Sequence, residues 1–148
     1  MDEQPSRFPK FTAVGLCTSM VLLAACLAFP AYSEEGPEGP ATAHSLLVLA
    51  IGWLGIGYQV HEWLANPLLL LAWILMFARN YKGAAITALA ATLVAASFLL
   101  RENIVISEAP TYGRVLGYHA GYWLWLASPA VASLASAWAM RRSPPASK

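Results

Sequence analysis

The feature that most constrains this chain is a set of continuous apolar runs, each about as long as a membrane-spanning helix. The runs cover residues 11–29, 83–100 and 120–140, and a longer one covers 45–78. About 20 apolar residues in a helix match the hydrocarbon thickness of a bilayer. A helix also satisfies its backbone groups internally, as lipid requires. The runs therefore predict membrane helices rather than barrel strands, whose apolar residues would alternate.

Composition supports lipid as the surrounding medium. The 148 residues are 58% hydrophobic and 11% charged, whereas soluble domains carry about 25% charged residues. A small domain in water could not hide that much apolar surface. The formal net charge of +1 argues against a nucleic-acid partner. The sequence shows no nucleotide loop, catalytic triad or Cys-x-x-Cys pair, and we predict that the protein is not an enzyme.

The distribution of lysine and arginine decides how often residues 45–78 cross. A helix of that length would measure about 51 Å, against a core of about 30 Å. One crossing places seven basic residues inside and two outside, while two crossings give four and five, so the positive-inside rule favours one. The inner set is Arg7, Lys10, Arg79, Lys82, Arg141, Arg142 and Lys148, and the outer set is Arg101 and Arg114.

We therefore predict an all-α integral membrane protein, a four-helix transmembrane bundle with both termini in the cytoplasm, and one membrane domain over residues 1–148. The predicted spans are about 11–29, 61–78, 83–100 and 120–140, and the tail 143–148 is predicted to be disordered. Residues 45–57 become an extra apolar segment, either interfacial or re-entrant, with glycines that permit a break. The alternative is one long, tilted helix over 45–78.

Pro67 lies inside the second predicted span. Proline in a helix interior removes a backbone donor and clashes with the carbonyl four residues earlier, so we expect a kink near Glu62 and Trp63. The alternative is a helix that begins at about Ala65, with Pro67 in its tolerant first turn.

All three histidines are predicted at the outer level of the membrane. With Glu62, they form a candidate zinc or copper site, since imidazole and carboxylate are ligands for both metals. The set is His44, His61, Glu62 and His119. Haem held by His61 and His119 is a narrower version of this hypothesis. We prefer the simpler interpretation, a polar cap at an interface where water and headgroups are available.

Tyr58, Glu62 and Asn66 are spaced four apart and would share one face of a helix. A polar stripe in a membrane helix should face other helices or a wet cavity. The alternatives are therefore a functional pathway and a set of hydrogen bonds that fixes the rotation of the helix; we prefer the second.

Small and aromatic residues predict how the helices pack. Small residues recur every four positions, which permits close approach of helix backbones in a membrane. Tyrosines and tryptophans cluster at the predicted outer boundary, where such side chains anchor helices. The small-residue sets are Gly113, Gly117 and Gly121; Ser128, Ala132 and Ser136; and Ala84, Ala88, Ala91 and Ala95.

Leu23-Ala24-Ala25-Cys26 is similar to the lipobox of bacterial lipoproteins, which makes Cys26 a lipidation candidate. Ala31-Tyr32-Ser33 also fits a signal-peptidase site. The apolar run is longer than a signal core and continues past the cysteine, so we favour an uncleaved helix. These signal-like features suggest the bacterial inner membrane.

The functional hypothesis is a non-enzymatic accessory or structural subunit that packs with other membrane helices or with itself. Short predicted loops leave little room for an extramembrane domain. The alternatives are a transporter or channel subunit that uses the region 58–66, since broken helices near polar residues bind substrates in transporters, or a metal- or haem-binding redox protein that uses the histidines.

Overall fold

The structure is a computed structural model that describes residues 10–36, 39–58, 60–105 and 112–142. The predicted tail 143–148 lies outside these residues. The described part is mostly helical, with a small antiparallel sheet at one end. The helices are α1 (Lys10–Cys26), α2 (Ser45–Ile51), α3 (Ala65–Phe77), α4 (Tyr81–Ser97) and α5 (Ala120–Arg142). Short 3-10 helices cover Gly52–Tyr58, Glu62–Leu64 and Phe98–Leu100, and the strands are β1 (Pro30–Gly36), β2 (Gly39–His44), β3 (Asn103–Val105) and β4 (Tyr112–Tyr118).

Four of the helices, α1, α3, α4 and α5, run alternately up and down, and α5 packs along both α1 and α4. The predicted small-residue faces on α4 and α5 are confirmed, because their members are completely buried where these helices meet their neighbours. These members are Ala84, Ala88, Ala91, Ala95, Ser128, Ala132 and Ser136. Short side chains let the backbones approach and gain dispersion contacts that longer side chains would prevent.

Hydrogen bonds between serines lock α1 to α5. Ser19 Oγ donates to the Ser128 carbonyl at 2.9 Å, and Ser128 Oγ donates to the Ser19 carbonyl at 2.8 Å. Trp73 Nε1 on α3 donates to Ser19 Oγ at 2.9 Å. One turn earlier, Gly15 faces Ala135 so closely that a Cβ on residue 15 would overlap its side chain. The two helices are thus held in a single register.

The prediction of a purely α fold is wrong, because both predicted outer loops contain antiparallel strand pairs. The first hairpin pairs β1 with β2, the second pairs β3 with β4, and β1 pairs with β4 to give the strand order β2-β1-β4-β3. The segment rich in glycine, proline and glutamate resembles an irregular loop in sequence, yet Gly36 and Gly39 pair with each other in the ladder of β1 and β2. Gly113 and Gly117 lie in β4, so they form no helix face.

Among the described residues, two helical segments are long and apolar enough to cross a membrane by length and composition, namely Tyr81–Leu100 and Ala120–Arg142. The first and second predicted spans correspond to shorter apolar helices, Lys10–Cys26 and Glu62–Phe77. The helix positions thus agree with the four predicted spans, but the lengths support two crossings and not four. The finer prediction of a four-span bundle remains a proposal.

Residues 45–58 form a separate helical excursion, α2 followed by a 3-10 helix, rather than part of one long helix. Trp63 Nε1 donates to the Leu49 carbonyl at 2.9 Å and ties this excursion to the start of α3. Because α3 begins at Ala65, Pro67 lies in its first turn, and the expected proline kink is wrong. The Trp63 carbonyl, which an N–H at residue 67 would have used, accepts the Asn66 side-chain amide at 3.1 Å.

Gly121, at the start of α5, lies where this helix crosses the beginnings of β1 and α2. A Cβ at residue 121 would overlap Ser45 Oγ and lie 2.6 Å from the Pro30 carbonyl oxygen. Gly117 on β4 has open space at the same position.

We expect Gly121→Ala to lower the free energy of unfolding by about 1–3 kcal/mol, because the methyl group overpacks a junction made partly of backbone. Thermal unfolding of the purified protein in detergent measures the effect. Gly117→Ala is the matched control and should change stability much less. Equal midpoints for the two variants would contradict the close approach at residue 121.

Candidate functional site

A cavity of about 950 Å³ lies between the helix bundle and the sheet. The end of α1, the excursion 45–58, the start of α3 and the start of α5 form its sides. Strand residues Ala31, Tyr32, Glu34 and Ala43 contribute to its lining. Its size falls within the range of about 300–1,000 Å³ that is typical of ligand pockets. The cavity is therefore the candidate functional site.

Glu62 is the central polar residue of this site. It lies in the 3-10 helix before α3, lines the cavity and is only 7% exposed. Arg101, which follows the last turn after α4, donates its Nε–H to Glu62 Oε1 in an ion pair. The second carboxylate oxygen, Oε2, is buried without a hydrogen-bond partner among the described residues. A buried carboxylate with a free acceptor is costly unless something else satisfies it.

Asn66, one turn further along, is held by hydrogen bonds to both polar groups of its side chain. Its side-chain oxygen accepts the indole N–H of Trp125 on α5 at 2.8 Å, and its amide donates to the Trp63 carbonyl. Ser45, at the first position of α2, also lines the cavity, and its buried hydroxyl has no hydrogen-bond partner in the described part of the chain. Among the described residues, the buried side-chain polar atoms of this site without a partner are thus Glu62 Oε2 and Ser45 Oγ.

The sheet adds a second carboxylate, that of Glu34 on β1. Burial raises the pKa of this carboxyl above its usual value, because desolvation disfavours the charged form. Burial, and next the nearby charge of Glu34, raise the pKa of the Tyr32 hydroxyl. The phenol stays neutral at physiological pH, whereas the carboxyl holds its proton more readily than an exposed one.

An aromatic cluster closes the site on the side of α4 and α5. The Phe98 ring lies 5.2 Å from that of Tyr32 and 5.8 Å from that of Tyr122. Tyr122 is buried and donates its hydroxyl to the Ala95 carbonyl at 3.1 Å, and Tyr118 donates to the Phe98 carbonyl at 3.0 Å. These tyrosines pack inside the protein, unlike the half-exposed Trp53 and Trp123, which suit the predicted anchoring role.

The structure does not gather the predicted metal ligands. His44 and His61 are exposed, at the end of β2 and before the 3-10 helix of Glu62. The Nε2 atom of His119 lies 2.6 Å from Ser33 Oγ, in a hydrogen bond that joins the end of β4 to β1. In the described ranges, no group of three or more His, Cys, Asp or Glu side chains is placed to hold a metal ion. The four candidates are therefore not placed as one set of metal ligands.

The predicted polar stripe is realised in part. Tyr58 ends one 3-10 helix and Glu62 begins another, so the three residues do not share the face of one continuous helix. Glu62 and Asn66 both line the cavity, while the side chain of Tyr58 lies outside the described part.

Cys26, the lipidation candidate, is buried at the end of α1 and also lines the cavity. Cleavage before this residue would remove α1 and with it the serine contacts to α5. Lipidation itself stays a prediction.

Comparison with protein-family models, curated protein sequences and solved structures finds no match for this chain.

Sequence reasoning identified Glu62 and Asn66 but missed Arg101, Glu34 and Ser45. Arg101 follows one predicted span and Glu62 lies at the start of another, both on the predicted outer side. This shared depth relative to the membrane was the available signal that the two residues pair. Ser45 reaches the site through the excursion 45–58, and Glu34 reaches it through β1. No periodicity in the sequence indicates either placement.

We expect Arg101→Ala to destabilise the protein by about 3 kcal/mol, because it leaves the buried Glu62 carboxylate without its compensating charge. Arg114→Ala, which removes an exposed arginine from β4, is the matched control and should cost much less. Chemical unfolding of detergent-purified variants measures both.

The double variant Glu62→Gln/Arg101→Ala should recover part of the lost stability, since the charge is then removed from both sides. If the double variant is as unstable as the sum of the two single variants, the ion pair does not account for the effect.

Proposed function

We propose that this chain is an integral membrane protein whose four long helices cross the bilayer, and that it serves as a non-enzymatic subunit that packs with other membrane helices. The observation that supports this proposal is the distribution of side chains in the bundle. Small and hydroxyl-bearing residues, with a few large side chains such as Leu69 and Met76, fill its centre, and most of the large apolar residues cover its outside. In water the arrangement would be reversed.

The outer faces of all four helices carry large apolar side chains. Phe11 on α1 is 70% exposed, Ile74 on α3 62%, Leu93 on α4 63% and Leu134 on α5 73%. An apolar surface that encircles a bundle cannot be a single binding patch, because soluble proteins rarely expose more than a few hundred Å² of contiguous apolar area. Lipid hydrocarbon around the bundle would cover the apolar side chains of all four faces at once.

The shorter helices are compatible with crossing. Helix α1 has 17 residues, at the lower end of the spanning range. A hydrogen-bonded turn continues it through Leu27, Ala28 and Phe29, which makes 20 consecutive residues of which only Lys10 is charged. Glu62–Phe77 spans about 24 Å, and a bilayer adapts to a short span by local thinning.

Charges at the two ends of the bundle support an orientation. Exposed basic residues lie at the end away from the sheet: Lys10, Arg79, Lys82, Arg141 and Arg142. Glu34, Glu35 and Glu102 lie at the sheet end. The positive-inside rule then puts both termini in the cytoplasm and the sheet on the opposite side, which in the bacterial inner membrane is the periplasm.

The exposed face of α1 is the surface we assign to a partner helix. Ala13, Cys17 and Thr18 line a shallow groove there, flanked by Val14 and Val21. Small residues one turn apart allow a second helix to approach closely. The corresponding faces of α3 and α4 carry Leu, Ile and Phe side chains, which suit lipid better.

Of the two alternatives, the cavity favours a ligand-binding or transport role, whereas no group of three or more metal-ligating side chains among the described residues supports a metal centre. Four helices are few for a transporter acting alone, so a transport role would also require association through α1.

We expect cysteines introduced at Glu35 and Arg114 in a Cys17→Ala/Cys26→Ala background to react with a membrane-impermeant maleimide in intact cells. Cysteines at Lys82 and Arg142 should react only after the membrane is disrupted, because they lie on the cytoplasmic side. Labelling at residue 82 in intact cells would contradict the orientation and the number of crossings.

We expect a photo-cross-linking amino acid at position 17 to form an adduct with one reproducible membrane protein, or with a second copy of this chain, identified by peptide mass spectrometry. The same amino acid at Leu93 is the control and should form none. Ala13→Leu should reduce the yield at position 17 several-fold, because a larger side chain keeps the partner helix away. Equal adducts at 17 and 93, or no effect of Ala13→Leu, would disprove the assigned surface.

A further inference from the structure

We propose that the cavity between the bundle and the sheet binds a lipophilic cation, a molecule with an apolar body and a positively charged amine or onium group. This inference goes beyond the packing role. It depends on the proposed membrane location only for the source of the ligand, which would enter from the bilayer.

The charge of the lining selects a cation. Glu34 and Glu62 line the cavity, and no lysine, arginine or histidine is found among the lining residues that the structure describes. Arg101 pairs with one oxygen of Glu62 from outside this lining. An anionic headgroup would meet the carboxylate of Glu34 and the unpaired oxygen of Glu62, and no lining cation would offset the repulsion between like charges.

Glu62 supplies the strongest single indication of a missing partner. The residue is more than nine-tenths buried, and its Oε2 atom has no hydrogen-bond partner among the described residues. Native proteins rarely leave such an acceptor unsatisfied. A positively charged group beside Oε2 would compensate the part of the carboxylate charge that Arg101 does not meet at Oε1.

Aromatic side chains supply a second feature that favours a cation. Five of them line the same cavity: Tyr32, Trp63, Phe98, Tyr122 and Trp125. The faces of aromatic rings attract cations, most strongly when water is excluded, and aromatic cages are the usual way that proteins recognise quaternary ammonium groups. Carboxylates and rings in one cavity are thus complementary to the same ligand.

The remaining walls select an apolar body. Residues of the excursion 45–58, such as Leu47, Val48, Ile51 and Leu54, line the cavity with hydrocarbon. A hydrated inorganic ion would gain nothing from these walls and would have to lose its water there. The volume of about 950 Å³ admits a bulky organic cation.

The probe for this site is tetraphenylphosphonium, with tetraphenylborate as a control of nearly the same size and shape but opposite charge. Calorimetric titration of the full chain in an uncharged maltoside detergent measures the affinity. We expect saturable binding of the cation at one site per chain and at least tenfold weaker binding of the anion. Equal affinities, or no saturable binding of the cation, would overturn the proposal.

Two matched pairs of variants locate the binding. Glu34→Gln should weaken cation binding at least about fivefold, because it removes a lining charge, whereas Glu35→Gln, the exposed neighbour in β1, should change it less than twofold. Val48→Trp fills the cavity and should abolish binding, whereas Leu46→Trp, on the exposed side of α2, should not. Binding that ignores both pairs would place the cation elsewhere and refute the site.

These measurements are independent of topology and of partner helices, because they use the isolated chain in detergent. Loss of the expected labelling pattern with intact cation binding would reject the membrane orientation alone. The expected labelling without cation binding would reject the cavity alone.

Discussion

The close approach of α5 to α1 and α4 is the constraint on which the rest of the structure depends. It is possible because alanine and serine occupy the contact positions, and Ser19 and Ser128 exchange hydrogen bonds across it. Because small side chains fill the contacts of α5, most of the large apolar side chains of the bundle lie on its outside. Toward the sheet, bulky aromatic residues replace the small ones. The helices are in close contact where their side chains are small, and aromatic rings hold them apart near the sheet. This separation leaves the space that forms the cavity.

The sheet and the excursion 45–58 give this space its chemistry. Without the sheet and this excursion, the space between the four helices would be open at that end. The hairpins bring Tyr32 and Glu34 across the opening, and Gly121 lets α5 pass under the start of β1. The Trp63–Leu49 hydrogen bond folds the excursion back against α3. A buried carboxylate is tolerated there because Arg101 arrives from the end of α4, so the ion pair also links two consecutive helices.

The helices were predictable from the sequence because apolar runs and basic stops are local signals. The small-residue faces of α4 and α5 were equally predictable, since residues four positions apart lie on the same side of a helix. The sheet was not predictable, because β1 and β4 are paired across about 80 residues and neither alternates cleanly between polar and apolar positions. Glu62 was found because a charge within an apolar run is a local signal. Its partner Arg101, and Glu34 in the lining of the same cavity, lie far from it in the sequence and were not found as parts of this site. The histidines share a level in the sequence, but that level says nothing about the distance between them.

The pairing of β1 with β4 has a consequence for how the protein is made. Synthesis proceeds from the amino terminus, so the first hairpin is complete long before the residues of β4 exist. During that interval the free edge of β1 offers unpaired backbone groups to any other extended chain. Early exposure of this edge makes the nascent protein vulnerable to aggregation or to exchange of hairpins between copies. Binding of a chaperone to the newly synthesised first hairpin, or rapid synthesis of the remaining helices, would therefore raise the yield of correctly assembled protein.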